Sequence, residues 1–587
     1  MNISRREFVR LVGLASAAGL IPGSVFATRK VPSDLYEVPA SGNARILHFT
    51  DCHAQLNPIY FREPSVNIGV GDAQGKAPHL VGKHLLSRFG IAPAGIEAHA
   101  YTYLDFEEGY RNFGKVGGFA HLTTLVKKLR AEYAEGQSLL LDGGDTWQGS
   151  GTSLWTRGQD MVGACNLLGV DIMTGHWEFT YLAEEVLQNS LAFAGEFVSQ
   201  NCKVKDDSLF DYELGELGDF DEDTGHVFKP YVMREMGDLR IAVIGQSFPY
   251  TPIANPQRFI PDWTFGINED DMQELVEQIH DEESPDAIIL LSHNGMDVDL
   301  KLASRVRGIG AIFGGHTHDG VPGAIEVSNS GGKTLVTNAG SNGKFLGVMD
   351  LDIKRKEIRD YHYRLLPIFS NLLPADAEME AYIAGVRAPY LETLTESLSV
   401  ADELLYRRGN FNGTFDQVIC DALRVQGDAQ ISLSPGFRWG TTVPSGENIT
   451  MENVMDQTCI TYPETYVREM SGTDLKLILE DVADNLFNPD PYRQQGGDMV
   501  RLGGLDYVID PLGAAGDRIS SMQLDNGEVI DAAKSYKVSG WATVGSQSPG
   551  MPIWELVANH LRQQDVTRIE KMNTPLIKNV AGNPGIA

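Results

Sequence analysis

Four apolar runs in this chain end abruptly in residues that can bind metal ions, and that repetition constrains the fold more than any other feature. Arg45-Ile-Leu-His-Phe49 leads into Thr50-Asp51-Cys52-His53, and Ser138-Leu-Leu-Leu141 into Asp142-Gly-Gly-Asp145. Ala287-Ile-Ile-Leu-Leu291 leads into Ser292-His293-Asn294, and Gly310-Ala-Ile-Phe313 into Gly314-Gly-His316-Thr-His318. Short apolar runs without alternation read as strands buried on both faces, as in parallel sheets covered by helices. Functional groups just past the carboxyl ends of such strands occupy the usual site position of α/β folds. Helix-patterned stretches such as Phe119–Glu135 and Met272–Asp281 lie between the runs.

Taken alone, each cluster says little, since a buried histidine is usually a satisfied core residue. A fifth cluster, Gly175-His176-Trp177-Glu178, joins the other four. Asp51, His53, Asp145, His176, His293, His316 and His318 together offer carboxylate and imidazole donors that suit Mn, Zn, Fe or Co. Two cations held about 3.5–4 Å apart need one carboxylate in common, and Asp145 is the natural bridge. The neighbouring glycines let the backbone turn sharply and come close to the ions. Glu178 is expected to orient a ligand imidazole from behind. Cys52 lies between two ligands, but strand alternation points it away.

Length and charge narrow the remaining possibilities. A chain of 587 residues holds two to four domains. Its formal net charge of −31 argues against nucleic acid as the main partner, since phosphate binding needs clustered Lys and Arg. Cys52, Cys165, Cys202, Cys420 and Cys459 show no CxxC spacing, so a zinc knuckle or dense disulfide framework is not expected. Residues 1–27 read as an export signal: Ser4-Arg5-Arg6-Glu7-Phe8 is a twin-arginine pattern, the run from Leu11 to Leu20 is uncharged, and Val25-Phe-Ala27 suits cleavage. The expected destination is the periplasm, reached by a chain already folded. Residues 28–370 are expected to form the metal domain, interrupted by an insertion over 54–116. Residues 371–399 read as a linker helix and 400–575 as a second domain.

The order D-x-H, GD, GH, H, G-H-x-H resembles the calcineurin-like metallophosphoesterases. Val116-Gly-Gly-Phe-Ala-His-Leu-Thr-Thr-Leu125, Arg408 with Gly413-Thr-Phe415 and Asp421-Ala422, Ser434-Pro-Gly-Phe-Arg438, and Leu477–Asn485 resemble the 5′-nucleotidase branch. The resemblance spans nearly all of the chain beyond residue 27. It implies a four-layer α/β sandwich carrying a dinuclear metal site, joined by a helix to a C-terminal α/β substrate domain. Where that family has G-N-H-E, however, this chain has His176 at the metal-binding Asn and Trp177 at the assisting His. Its base-stacking elements are also altered, at Tyr462-Pro-Glu-Thr465 and Gly545–Gly550. The block Gly175–Tyr181, the block Ser434–Gly440, the leader and the insertion together resemble the thiosulfohydrolases of the Sox sulfur-oxidising system. That resemblance implies release of sulfate from a cysteine-bound sulfonate by a hydroxide activated by two manganese ions. It also implies a carrier protein of SoxYZ type, whose slim tail enters a narrow channel between the domains. Trp177, Arg408 and Arg438 are the substrate-side residues it points to, with both arginines facing the channel. The alternative is an exported 5′-nucleotidase or phosphodiesterase using the same metals.

Overall fold

The computed structural model describes residues 34–587 except Ser546. The leader, with Arg5 and Arg6, lies outside the described residues. Among the described residues no helix is long and apolar enough to cross a membrane. All five cysteines are buried and unpaired.

The first domain is built on two six-stranded sheets. One runs in spatial order Glu357–Pro367, Phe345–Lys354, Ala44–Phe49, Ser138–Asp142, Ile172–Met173, Glu196–Phe197. The other runs Ile325–Asn329, Gly332–Asn338, Ala311–Gly314, Ala287–Ser292, Leu239–Gln246, Tyr231–Met236. The motif-bearing strands pair in parallel, Ala44–Phe49 with Ser138–Asp142 and Ala287–Ser292 with Ala311–Gly314, so within each sheet their carboxyl ends lie side by side.

Alternation of side chains makes these strands double-sided. Ala44 and Ile46 point between the sheets and meet Leu139, Ile289, Leu291 and Phe313, whereas Leu47 and Phe49 point outward. The outward face of the first sheet is covered by the helices Phe119–Arg130, Gln159–Leu168, Ala183–Ala192 and Ala377–Arg387. The helices Glu269–Glu283 and Met296–Arg305 cover the outward face of the second. The result is the four-layer sandwich, helix–sheet–sheet–helix.

Two buried polar residues, Arg45 and His48, interrupt the apolar strand Ala44–Phe49. Arg45 lies opposite Asp350 in the antiparallel register and is fully buried. Its Nε and Nη2 donate to the two Asp350 oxygens at 2.6 and 2.8 Å, and its remaining donors reach the carbonyls of Leu129 and Val38 at 2.9 Å. The guanidinium thus ties the sheet to its covering helix and to the preceding segment.

The connection to the second domain is not one continuous helix. Asp376 caps the helix Ala377–Arg387 by accepting from the Met379 amide at 3.1 Å. A tight turn follows at Ala388–Tyr390, then a short helix at Leu391–Leu394, and Ser397–Ala401 is already a strand. Pro389 lacks the amide that would have continued the first helix. Beyond it, a four-stranded sheet (Thr465–Ser471, Ser535–Trp541, Ile431–Ser434, Arg501–Gly503) organises the C-terminal domain. The helices Thr414–Gly427, Met451–Thr458 and Ile553–Leu561 share one of its apolar clusters, and Gly472–Leu486 contributes to another.

Because both partners are buried, Asp350→Ala leaves a cation without its counter-ion, a change expected to cost about 3–5 kcal/mol. A clearly lower urea midpoint of the metal domain checks it; an unchanged midpoint contradicts the role given to this pair.

Candidate metal centre

The loops after the four strands interlock across both sheets. The Asp51 amide donates to the Gly144 carbonyl and the His53 amide to the Asp145 carbonyl, both at 2.8 Å. The His316 amide crosses from the second sheet to the Asp51 carboxylate at 3.0 Å. His293 Nδ1 donates to the Gly143 carbonyl at 2.6 Å, which leaves Nε2 to face the other ligands. Asp51, His53, Asp145, His316 and His318 all have positive φ, between 45° and 73°. Non-glycine residues adopt this region at a cost, and such strain gathers at functional sites. Gly315 shows how tight the crossing is: a Cβ there would lie 2.4 Å from Thr50 Oγ1 and 3.0 Å from Asp51 Oδ2.

All seven expected donors come together. Asp51, His53, Asp145 and His318 place one ligand atom each within 4.8 Å of one another, and so do Asp145, His176, His293 and His316. Asp145 is common to both groups. Its Oδ2 lies 3.1 Å from His293 Nε2 and 3.7 Å from His53 Nε2, and its Oδ1 lies 3.4 Å from His176 Nδ1. Cys52 belongs to neither group.

Glu178 is placed differently from expectation. Its buried carboxylate orients no imidazole; it accepts four backbone amides, from Asp145 (3.1 Å), Thr146 (2.7 Å), Trp147 (3.0 Å) and His176 (2.9 Å). In return the Trp177 amide donates to Asp145 Oδ1 at 2.8 Å. The two ligand loops therefore clasp each other through a pair of carboxylates and their neighbours' amides.

The donor set fits cations. Ring nitrogens of His176, His293 and His316 are buried without a hydrogen-bond partner, a state buried polar atoms rarely tolerate, and His53 Nε2 and His318 Nε2 face each other at 3.0 Å. Burial holds the His53 imidazole down to about 3, and it lowers His176, His316 and His318 as well, so these rings are neutral and free to ligate. Burial raises the Asp51 carboxyl to about 6. At His293 burial acts against the cation, but the Asp145 and Asp51 carboxylates outweigh it and lift the ring to about 10. These residues make two metal-binding sites sharing Asp145.

The substrate side of the centre is an open cleft of about 160 Å³, walled by Asp145, His176, Trp177, Phe437, Arg438 and Gly496 among others. The Trp177 ring lies 5.0 Å from the His176 ring and packs edge-on against Phe437 and Trp439 at 5.5 and 5.0 Å. It thereby joins the apolar core of the C-terminal domain. Arg438 faces this cleft; its Nη2 donates to the Gly497 carbonyl at 2.9 Å, and its Nη1 is buried without a partner. Arg408 does not line the same cleft. It lines two adjoining cavities, one of which it shares with His318 and the other with Arg438. The Asp498 carboxylate stands between the two arginines, 3.8 Å from each.

The loop Gln494–Asp498, which closes one side of the cleft, carries little signal in the sequence. At Gly496 (φ +83°) a Cβ would lie 2.4 Å from His316 Nε2, so only glycine lets this loop reach the ligand. Its one visible signal is a glycine pair ahead of Asp498. Phe248, stacked on His316 at 4.0 Å, had no signal at all.

Two outcomes follow for the metals. Asp145→Asn is expected to lose both ions, and His318→Ala to weaken one; two metals per chain retained by Asp145→Asn in elemental analysis contradicts the shared bridge. Loading displaces the His293 proton, so uptake at pH 8 releases about one proton per chain. Below about pH 6 Asp51 is protonated too, so proton release must rise and affinity fall as the pH drops. Calorimetry in buffers of different ionisation enthalpy reads this, and proton release independent of pH contradicts it.

Comparison with known proteins places this geometry in a family. The 5′-nucleotidase C-terminal domain family matches residues 400–554. The bovine 5′-nucleotidase is 24% identical over 450 residues, 70% of this chain and 73% of that protein. A trifunctional nucleotide phosphoesterase of Bacillus subtilis is 25% identical over 473 residues, 74% of this chain but 31% of that longer protein. The structure of the Thermus thermophilus sulfate thiohydrolase SoxB superposes with a TM-score of 0.84 at 35% identity, covering 93% of this chain and 98% of that one. The chain belongs to the family of the sulfate thiohydrolase SoxB, a branch of the 5′-nucleotidase-type metallohydrolases.

Proposed function

We propose that this protein releases sulfate from a sulfonate carried on a cysteine of a SoxYZ-type carrier protein, as a step of thiosulfate oxidation. In this reading it works in the periplasm after twin-arginine export, with two manganese ions held by Asp51, His53, Asp145, His176, His293, His316 and His318. The observation that carries the reading is Trp177. At the position where the phosphoesterase pattern keeps an assisting histidine, this chain has an indole packed into the C-terminal core and walling the cleft.

The chemistry explains why a proton donor is dispensable there. Bound at their sites, the two cations supply Lewis acidity that lowers the pKa of a water and offsets the sulfonate's charge. As the water oxygen bonds to the sulfonate sulfur, the sulfur–sulfur bond breaks, its electron pair leaves on the carrier's sulfur, and the water's protons pass to solvent. Thiols have pKa values near 8.5, so that sulfur departs as an anion without being protonated. An alkoxide leaving group requires the acid that Trp177 cannot be.

Arg438 binds and orients the anion. Its guanidinium is partly exposed to the cleft and keeps one buried nitrogen unpartnered beside the ligands, and its planar fork suits two sulfonate oxygens. Such local placement is needed because a chain at −31 repels anions at long range. A nucleotide fits less well: Phe437 stacks on Trp439 with centroids 4.0 Å apart, which leaves no slot for a base between them.

The test compares sulfate release from a sulfonated carrier with phosphate release from AMP, using one manganese-loaded preparation. Sulfate release is expected, and phosphate release without sulfate would promote the nucleotidase. Arg438→Ala is expected to slow sulfate release by about a hundredfold with both metals retained. Trp177→His is not expected to create a nucleotidase.

A further inference from the structure

Residues 54–116 are rooted in two different cores. Leu80, Leu85, Ile96 and Tyr101 pack with Ala339, Phe345 and Phe369 of the metal domain. Ile68 and Val70 instead sit in the core of the C-terminal domain, with Phe411, Leu433 and Leu479. The stretch from Tyr60 to Ile68 is stitched along that second domain. The Thr442 amide donates to the Tyr60 carbonyl at 2.8 Å and the Arg62 amide to Thr442 Oγ1 at 3.0 Å. The Arg62 guanidinium lies over the Tyr406 ring at 4.1 Å and the Tyr103 ring at 5.0 Å, bridging the two domains.

The last stitches reach the pair Arg408 and Arg438. The Ile68 amide donates to Asn410 Oδ1 at 2.7 Å, and the Asn410 amide donates to the Val66 carbonyl at 3.3 Å. Asn410 stands two residues beyond Arg408, and its Nδ2 donates to Asp498 Oδ1 at 3.2 Å. Asp498 is the carboxylate between Arg408 and Arg438. On the other side, Asn67 Nδ2 donates to Asp319 Oδ1 at 3.2 Å, next to the ligand His318. Pro64, Asn67 and Arg408 together wall a small cavity of about 40 Å³ that adjoins the metal cleft through Arg438.

We infer that Tyr60–Val70 is a strap that fixes the separation of the two domains, and that Asn410 is the positioning residue through which it sets Arg408. The width of the anion site is then determined before any substrate arrives. A prebuilt gap admits a slender, extended segment ending in a small anion, whereas a bulky nucleotide would need the domains to part. The inference deepens the sulfonate-carrier reading and rests on it for the identity of the substrate, but the strap itself is testable without that substrate.

The test uses the full, manganese-loaded protein and its Asn410→Ala variant, with Asn67→Ala as a milder change should the first fold poorly. Inorganic sulfate is the probe. Asn410→Ala is expected to speed amide exchange over Ser65–Val70 and to weaken sulfate binding in calorimetry, each by about tenfold, with both metals retained. On the sulfonated carrier, KM is expected to rise more than kcat falls, a split that general destabilisation would not produce. Asn67→Ala is expected to shift the same readouts in the same direction by less. Unchanged exchange and unchanged sulfate affinity in a folded variant would overturn the strap. If the wild-type protein released no sulfate from the carrier while exchange and sulfate affinity still shifted, the substrate reading would fail and the strap would stand.

Discussion

Two carboxylates, each taking the backbone amides of the other's loop, hold this centre together. Glu178 collects the amides of Asp145, Thr146, Trp147 and His176, and Asp145 takes the amide of Trp177. Charge-assisted bonds of this kind are stronger than neutral ones, and here they are wholly buried. The bridge between the metal sites therefore has its orientation set by the protein and not by the ions alone. Because residue 177 contributes its amide to this clasp, its side chain can change without disturbing the bridge. A tryptophan can replace a histidine there and alter the chemistry of the cleft while the metal scaffold persists.

The fold delivers the remaining ligands to the clasp from two directions. Parallel pairing sets Phe49 beside Asp142 in one sheet and Ser292 beside Gly314 in the other, so one pair of loops from each sheet converges on Asp145. The C-terminal domain supplies the other half of the site: Arg438, Phe437, Trp439 and the glycine loop that touches His316. A cleft built from two domains is only as well defined as their separation. Trp177, packed in the far core, and the segment around Ile68 both bear on that separation.

The metal centre was legible because its chemistry is written in side chains placed directly after apolar strands. All seven donors can be read from spacing and order alone. Groups whose role runs through the backbone were not. Glu178 was read as an imidazole partner because its neighbours in sequence are ligands, yet its partners are main-chain amides, which carry no residue signature. The anchoring of the insertion is not legible in its own residues, since its contacts depend on residues such as Asn410, 342 positions from Ile68. Arg408 and Arg438 share one cavity, with the Asp498 carboxylate of a loop without hydrophobic pattern between them, but only Arg438 also walls the metal cleft. The break at Ala388–Tyr390 was readable, since Pro389 stands inside the stretch taken as one helix.

Anomalous diffraction from crystals of the manganese-loaded protein, recorded at the metal's absorption edge, tests the shared bridge most directly. Two peaks per chain are predicted, one among Asp51, His53 and His318 and the other among His176, His293 and His316, with the Asp145 carboxylate touching both. A single peak, or ions bound away from Asp145, would contradict it.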